Sequence, residues 1–391
     1  MSGAITFPPN PTVGQIFTSG GTTWQWNGTA WVNANTGTNF LPLTGGTMTG
    51  ALTLSGNAAT ALQATPLQQV NAVVAPAFND AGRSYINNGL FNIAQRGTGP
   101  FTTYLYTLDR WLAGGSLDTI SWIQAPITDG ERAAIGDEAA QVCLQNTFTG
   151  NAGAAAFNEI VQRIEKVGRL ANKTITISFW AIGNVALKIA VNASQIFGTG
   201  GSPSATVHAL AVSAVVQATT TWTRYSVTIA MPSMAGKTLG TNGDDYTQLR
   251  MCLSSSTNNN AFFGNIGVQS GIVKIWGVQL ELGSVMTPLD YGGSPQQQLA
   301  ACQRFFIATG YPYAFGFNSW AANSFQILPV WFPVTMRGTP TVVMGASSSN
   351  TNVTMLDVLV YNQHGIQFRA VATAAGGAGI TMTGYNASAD L

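Results

Sequence analysis

Charge is what this chain has least of. Lys, Arg, Asp and Glu make up 8% of its 391 residues, against roughly 25% in an ordinary soluble protein, and they nearly cancel to a formal net charge of +1. No long-range field draws such a chain to nucleic acid or to an anionic membrane, and its 16 Lys and Arg are scattered. Partners are expected to be neutral or shape-matched. Histidine is almost absent: His208 and His364 each lie in a neutral, strand-like segment, the setting of a structural imidazole. Cys143, Cys252 and Cys302 are odd in number and far apart, which excludes a disulfide framework and a metal knuckle and leaves them as small buried residues. No GxSxG elbow occurs. The glycine-rich runs TSGGT and LTGGTMTG lack the GK[ST] ending of a phosphate loop. No uninterrupted span of ~18 apolar residues is present, and MSGAITFPPNP lacks the basic start and apolar core of a signal peptide. The expected product inserts in no membrane and uses no cofactor and no metal.

What the chain does have is 46% apolar residues among abundant Gly, Ser, Thr, Asn and Gln. Apolar content allows a core, and the polar residues favour turns and strand faces, so an all-β protein of several domains follows. Acidic residues pair at Asp129 with Glu131, Asp137 with Glu138 and Asp244 with Asp245, in turn-like DGE, GDE and NGDD settings. Solvated turns explain them, although clustered carboxylates also suit glycoside cleavage, or calcium at Asp244 and Asp245.

Residues 1–36 read as a small module. Asn27-Gly28 in TWQWNGTAW predicts a hairpin with a two-residue loop, pairing Trp26 with Thr29 and Trp24 with Trp31. Trp24, Trp26 and Trp31 then share one face, either as a docking patch or as a local aromatic core with Phe7 and Phe17. Residues 37–86 form a linker built on FLPLTGGTMTGALTLSG (residues 40–56), where Leu41, Leu43, Met48, Leu52 and Leu54 stand two to five apart. One copy buries these only against other chains or a neighbouring segment, which asks for an oligomer. Leu67, Val70 and Val74 add a short helical stripe.

Residues 87–292 alternate apolar with small polar residues in ITISFWA and WTRYSVTIA, the pattern of half-buried strands in a β-sandwich or jelly roll. AAAFNEIVQRIEKVGRL dissents, because Phe157, Ile160, Val161, Ile164 and Val167 have helical spacing. Trp180 and Trp276 are expected in the core, and Trp111 packs internally beside a paired Asp109 and Arg110. Residues 293–391 open with SPQQQLAACQRFF, a Ser-Pro helix start carrying Leu299 and Cys302, and continue as strands in which Pro329, Pro333 and Pro340 mark edges or strand starts.

PLTGGTMTGALTLSG with the following ALQATPLQQVNAV resembles the shaft of bacteriophage tail fibres, where three identical chains wind together. FNIAQRGTG, LDRW, QRIE, LANKTITISFWA, TWTRYSVTI and VQLELGSVMTP resemble a jelly-roll domain related to carbohydrate-binding modules. That resemblance makes QRIE a strand followed by a short helix, and the strand reading is adopted. CQRFF with FPVTMRGTPTV is similar to terminal domains of tail fibres. The resemblance implies a homotrimer of all-β fold, held to tail or neck proteins of the virion through Trp24, Trp26 and Trp31. It would recognise a host surface glycan through its distal domains. Sugars stack on aromatic faces and bond to neutral amides, so Tyr311, Tyr313, Phe315, Trp320, Trp122 and Tyr246, read as loop residues, are the candidate contacts. No catalytic residue is expected; a polysaccharide-degrading tailspike and a purely structural collar or head fibre are the alternatives.

Overall fold

A computed structural model describes residues 5–34, 83–310 and 312–391. The chain divides into two compact units, Met1–Ala72 and Val73–Leu391. The expected shaft residues Leu41, Leu43, Met48, Leu52 and Leu54, the stripe of Leu67, Val70 and Val74, and Tyr311 lie outside the described residues.

In the first unit, strands Ile16–Ser19, Thr22–Trp26 and Trp31–Asn33 form one antiparallel sheet. The second hairpin differs from expectation: Trp26 pairs with Trp31 and Trp24 with Asn33, so four residues make the loop. The Asn27 side chain sets this length. Its Oδ1 accepts from the backbone N–H of Thr29 at 2.9 Å and of Ala30 at 2.8 Å, closing an Asx-type turn. Phe7 stacks on Trp31 at 5.4 Å and meets Trp24 and Phe17 edge-on, each at 5.5 Å. The indoles thus have partners in their own unit, as in the local-core reading, and all three are half-buried.

The second unit is a two-sheet sandwich followed by a C-terminal β region. In spatial order the larger sheet runs Val207–His208, Leu187–Ile196, Tyr246–Ser255, Phe157–Glu165, Trp111–Ser116 and Leu105–Tyr106, with Ala214–Ala218 also pairing Leu187–Ile196. The smaller runs Thr223–Ala230, Thr174–Gly183, Ser270–Leu282, Val142–Thr149 and Thr119–Pro126. Ile160, Ile164, Leu249 and Met251 from one inner face meet Phe148, Ile177, Phe179 and Val273 from the other, all buried. The ambiguous segment is the strand Phe157–Glu165, followed by a 3-10 turn at Val167–Arg169. It is a middle strand covered on both faces, so Ile160 and Ile164 bury inward while Val161 buries outward. That double burial erases the alternation that marks a strand and leaves a spacing that imitates a helix.

Asp129 and Glu131 are not in a turn: they open the helix α1 (Asp129–Ile135), and Thr128 and Glu131 form its capping box. The expected helix α2 is Pro295–Gln303, with Ser294 and Gln297 as its capping box and Cys302 buried. Beyond α2, nine strands make three antiparallel sheets of three, each named here by its central strand: Tyr385–Ser388, Gly376–Met382 and Gly365–Ala372. They close on Phe332, Met336, Ile366, Phe368 and Met382. Pro329 lies on Phe325–Trp331, an edge strand, where its missing N–H costs no ladder bond.

The C-terminal region is keyed into the sandwich. Arg110 lies 3.4 Å over the Phe305 ring and Arg96 3.5 Å over Phe306. Asp390 accepts from Arg96 and stands 3.7 Å from Arg110. Asp109 and Arg110 are therefore not each other's partners: Asp109 accepts from Gln95 and lies 4.0 Å from Arg96. Both lie in the turn that precedes the strand Trp111–Ser116, where Arg110 takes a positive φ of 73°, and these neighbours go to different partners.

Candidate functional site

The outward face of the seven-stranded sheet carries a connected row of polar side chains. Register places Gly114, Glu159 and Cys252 side by side across three strands. One step along, Val161, Arg250 and Asn192 align, then Arg163, Gln248, Ser194 and His208, and then Glu165, Tyr246 and Ile196. Because side chains alternate, all of these share the face opposite the core.

The groups are joined by hydrogen bonds. Tyr104 Oη donates to Glu159 Oε1 at 3.0 Å, and Arg250 Nε lies 2.8 Å from Glu159 Oε2. With its amide oxygen turned toward Arg250, Gln248 accepts from Nε at 3.2 Å and from an Nη at 2.9 Å. Ser194 Oγ and His208 Nδ1 are 2.8 Å apart. Aromatic rings flank the row: Tyr104 against Phe157, Tyr246 with the Arg163 guanidinium 5.1 Å from its ring centre, and Phe262 with its ring centre 4.6 Å from the His208 ring.

Tyr104 crosses this face because Gly114 lies beneath it; a methyl group there would sit 2.4 Å from Tyr104 Cα. Burial pushes the Tyr104 hydroxyl far above its ordinary range, and the neighbouring Glu159 carboxylate adds to the effect. Burial likewise raises the Glu159 carboxyl, against the opposing pull of Arg250. His208 is lowered by burial and then by Arg250, which favours the neutral imidazole. Tyr104 is 41% exposed and Glu159 3%. The face is a rigid polar floor with accessible aromatic rims.

The expected contact residues are scattered over the second unit. Tyr246 is on this face, at the start of a strand rather than in a loop. Trp122 is a correction: it lies within the strand Thr119–Pro126, faces the core and is fully buried. Its neighbours Ile120 and Ile123 disclose the strand, whose inward positions take the largest side chains. Tyr313 and Phe315 are also strand residues, half-buried against Tyr385 and Phe368. Trp320 follows that strand and is 81% exposed. Sequence reading missed Tyr104, Glu159, Arg163, Gln248 and Arg250. Their signal is the two-residue spacing of Glu159, Val161 and Arg163 beside that of Gln248 and Arg250, visible only once both segments are strands.

The acidic turn at Asp244 and Asp245 fastens loops. Asp244 accepts from Thr199 N and Oγ1 at 2.8 and 2.6 Å, and Asp245 from Val167 N at 2.9 Å and Lys166 Nζ at 3.3 Å. Among the described residues, no group of three or more His, Cys, Asp and Glu is placed to hold a metal ion. All three cysteines are buried and free, and no described helix is long and apolar enough to cross a membrane.

No protein-family model and no curated protein sequence matches the chain. Among solved structures it is similar to the enzymatically active domain of tailspike protein 4 of bacteriophage CBA120. Identity there is 12% and the TM-score 0.27, over 51% of this chain and only 22% of that one. It is similar to a xylan-binding domain from Paenibacillus barcinonensis, at 13% identity and a TM-score of 0.30, over 53% of this chain and 99% of that one. A family 11 carbohydrate-binding module from Clostridium thermocellum, in complex with a mixed-linked tetrasaccharide, gives 10% identity and a TM-score of 0.27, over 44% and 88%.

Proposed function

We propose that the chain is a homotrimeric bacteriophage tail fibre that binds a host-surface glycan on the outward face of its seven-stranded sheet, without turning it over. The observation that carries the recognition is the row from Tyr104 through Glu159 and Arg250 to Gln248, bordered by Tyr104 and Tyr246. The Arg250 guanidinium, fixed from below by Glu159 and Gln248, donates to the hydroxyls of a sugar, while the flanking rings receive its C–H faces. Partners already in place keep the side chains preorganised, so little rotamer freedom is lost on binding.

Support for binding without turnover comes from the carboxylates. Glycoside cleavage needs two of them facing across the bond. On this face Glu159 is held by Tyr104 and Arg250, and Glu165 by Arg304 at 3.0 and 3.1 Å. The apolar spacing of residues 40–56 supports the trimer, and three copies raise weak single-site affinity through effective concentration. Residues 1–36 would hold the fibre to the virion, where the protein acts outside the host cell.

The test is whether the intact purified chain binds host bacteria and blocks infection while releasing no reducing ends from their surface polysaccharide. Absence of both binding and blocking, with the chain present in assembled particles, overturns recognition. Release of reducing ends overturns the non-enzymatic assignment.

A further inference from the structure

A second aromatic site stands on the C-terminal region, away from the polar row. Trp331 ends the edge strand Phe325–Trp331 and is 76% exposed, beside Gly365 on the central strand, which in turn lies beside Asn362. Gly365 cannot carry a side chain: a Cβ there would lie 2.5 Å from the Val330 carbonyl oxygen and 3.4 Å from Trp331 Cε3. A notch of about 70 Å³ adjoins this close approach, lined by Trp331, Asn362, Gly365, Pro329, Ile366 and Gln367.

The notch is rigid. Asn362 Oδ1 accepts from the backbone N–H groups of His364 at 2.8 Å and Gly365 at 3.2 Å, which turns its Nδ2 into the available donor. Phe332 N donates to the His364 carbonyl at 2.8 Å and Met336 N to that of Gln363 at 2.9 Å, clamping the turn from the other side. The nearby charges on this sheet face, Arg369 and Asp357, are paired with each other. An exposed indole, two neutral amides and no free charge fit a ligand that is flat on one side, carries hydroxyl acceptors and bears no net charge.

We propose that Trp331, the Gly365 notch and Asn362 form a second binding subsite for a neutral hexopyranose. The sugar ring stacks on the indole, and one hydroxyl accepts from Asn362 Nδ2. The subsite rests on the reading of the chain as a glycan binder but uses none of the residues of the polar row.

The test uses the full chain labelled with 5-fluorotryptophan, in which the resonance of Trp331 among the ten tryptophans is the one lost in Trp331→Phe. Cellotetraose, maltotetraose and galactotriose are titrated separately into the wild type, Arg250→Ala and Asn362→Asp. Asparagine to aspartate keeps the acceptor that closes the turn and exchanges the Nδ2 donor for a charged acceptor oxygen. The proposal predicts a saturable shift of the Trp331 resonance with at least one of these sugars, unchanged in Arg250→Ala and about tenfold weaker in Asn362→Asp. A resonance that no sugar moves overturns the proposal, as does one that moves with protein concentration instead, which marks self-association. Loss of binding at the polar row is read separately, from a change in total affinity in Arg250→Ala with the Trp331 shift intact.

Discussion

Glu159 concentrates the chemistry of the sheet face in one residue. It is 3% exposed, and burial holds its carboxyl above the ordinary value of 4.5 even with Arg250 at 2.8 Å. A folded pKa above the unfolded one means that the folded chain binds this proton more tightly. The stabilising contribution is full below about pH 4.5 and is lost as pH rises through the folded pKa. Glu159→Gln keeps the shape and loses the titration, so unfolding midpoints in urea should vary less with pH above 4.5 than in the wild type; an unchanged profile contradicts the assignment. Gly114→Ala places a methyl against Tyr104 Cα. It should cost about 1–3 kcal/mol, as overpacking does, and displace the ring that borders the row, visible together as a lower thermal midpoint and weaker glycan binding.

At the level of elements, chain chemistry was legible where it is local and obscured where burial is two-sided. Ser294-Pro295 announced α2, and the capping box formed as the residue order requires. Thr128→Ala or Ser294→Ala should each cost about 1 kcal/mol, measured as separate shifts in urea midpoint that add in the double variant, because the helices share no capping partner. The polar turn around Asp129 hid α1, since DGE reads as a loop until Thr128 is recognised as a cap. Phe157–Glu165 hid the site for a different reason. A strand buried on both faces has no polar side to declare its period, so residue spacing alone reads as a helix; the strand follows from the resemblance, which says nothing of which face Glu159 and Arg163 take. The hairpin at Asn27-Gly28 was legible as a hairpin, but its loop length depended on where the Asn27 side chain bonds.

Over the whole second unit, the final residues act as a key. Asp390 sits between Arg96 and the buried Arg110, while Tyr106 Oη donates to the Leu391 carbonyl oxygen at 3.0 Å. These contacts join residues nearly 300 positions apart, which no local pattern reveals. Removing one member of a buried ion pair strands the other, so Asp390→Asn should destabilise by about 3–5 kcal/mol, with proteolysis of the C-terminal region preceding that of the sandwich. The proposed trimer is a separate matter, resting on the apolar spacing of residues 40–56 in the sequence; a 40.9 kDa species stable in solution as a monomer would contradict it. The central claim is recognition by the outward sheet face, and titration calorimetry on the intact chain tests it most directly, with purified surface polysaccharides from candidate hosts as ligands. The account predicts binding to at least one, weakened about tenfold or more when Arg250→Ala removes the centre of the row. A polysaccharide bound equally well by wild type and Arg250→Ala would contradict it.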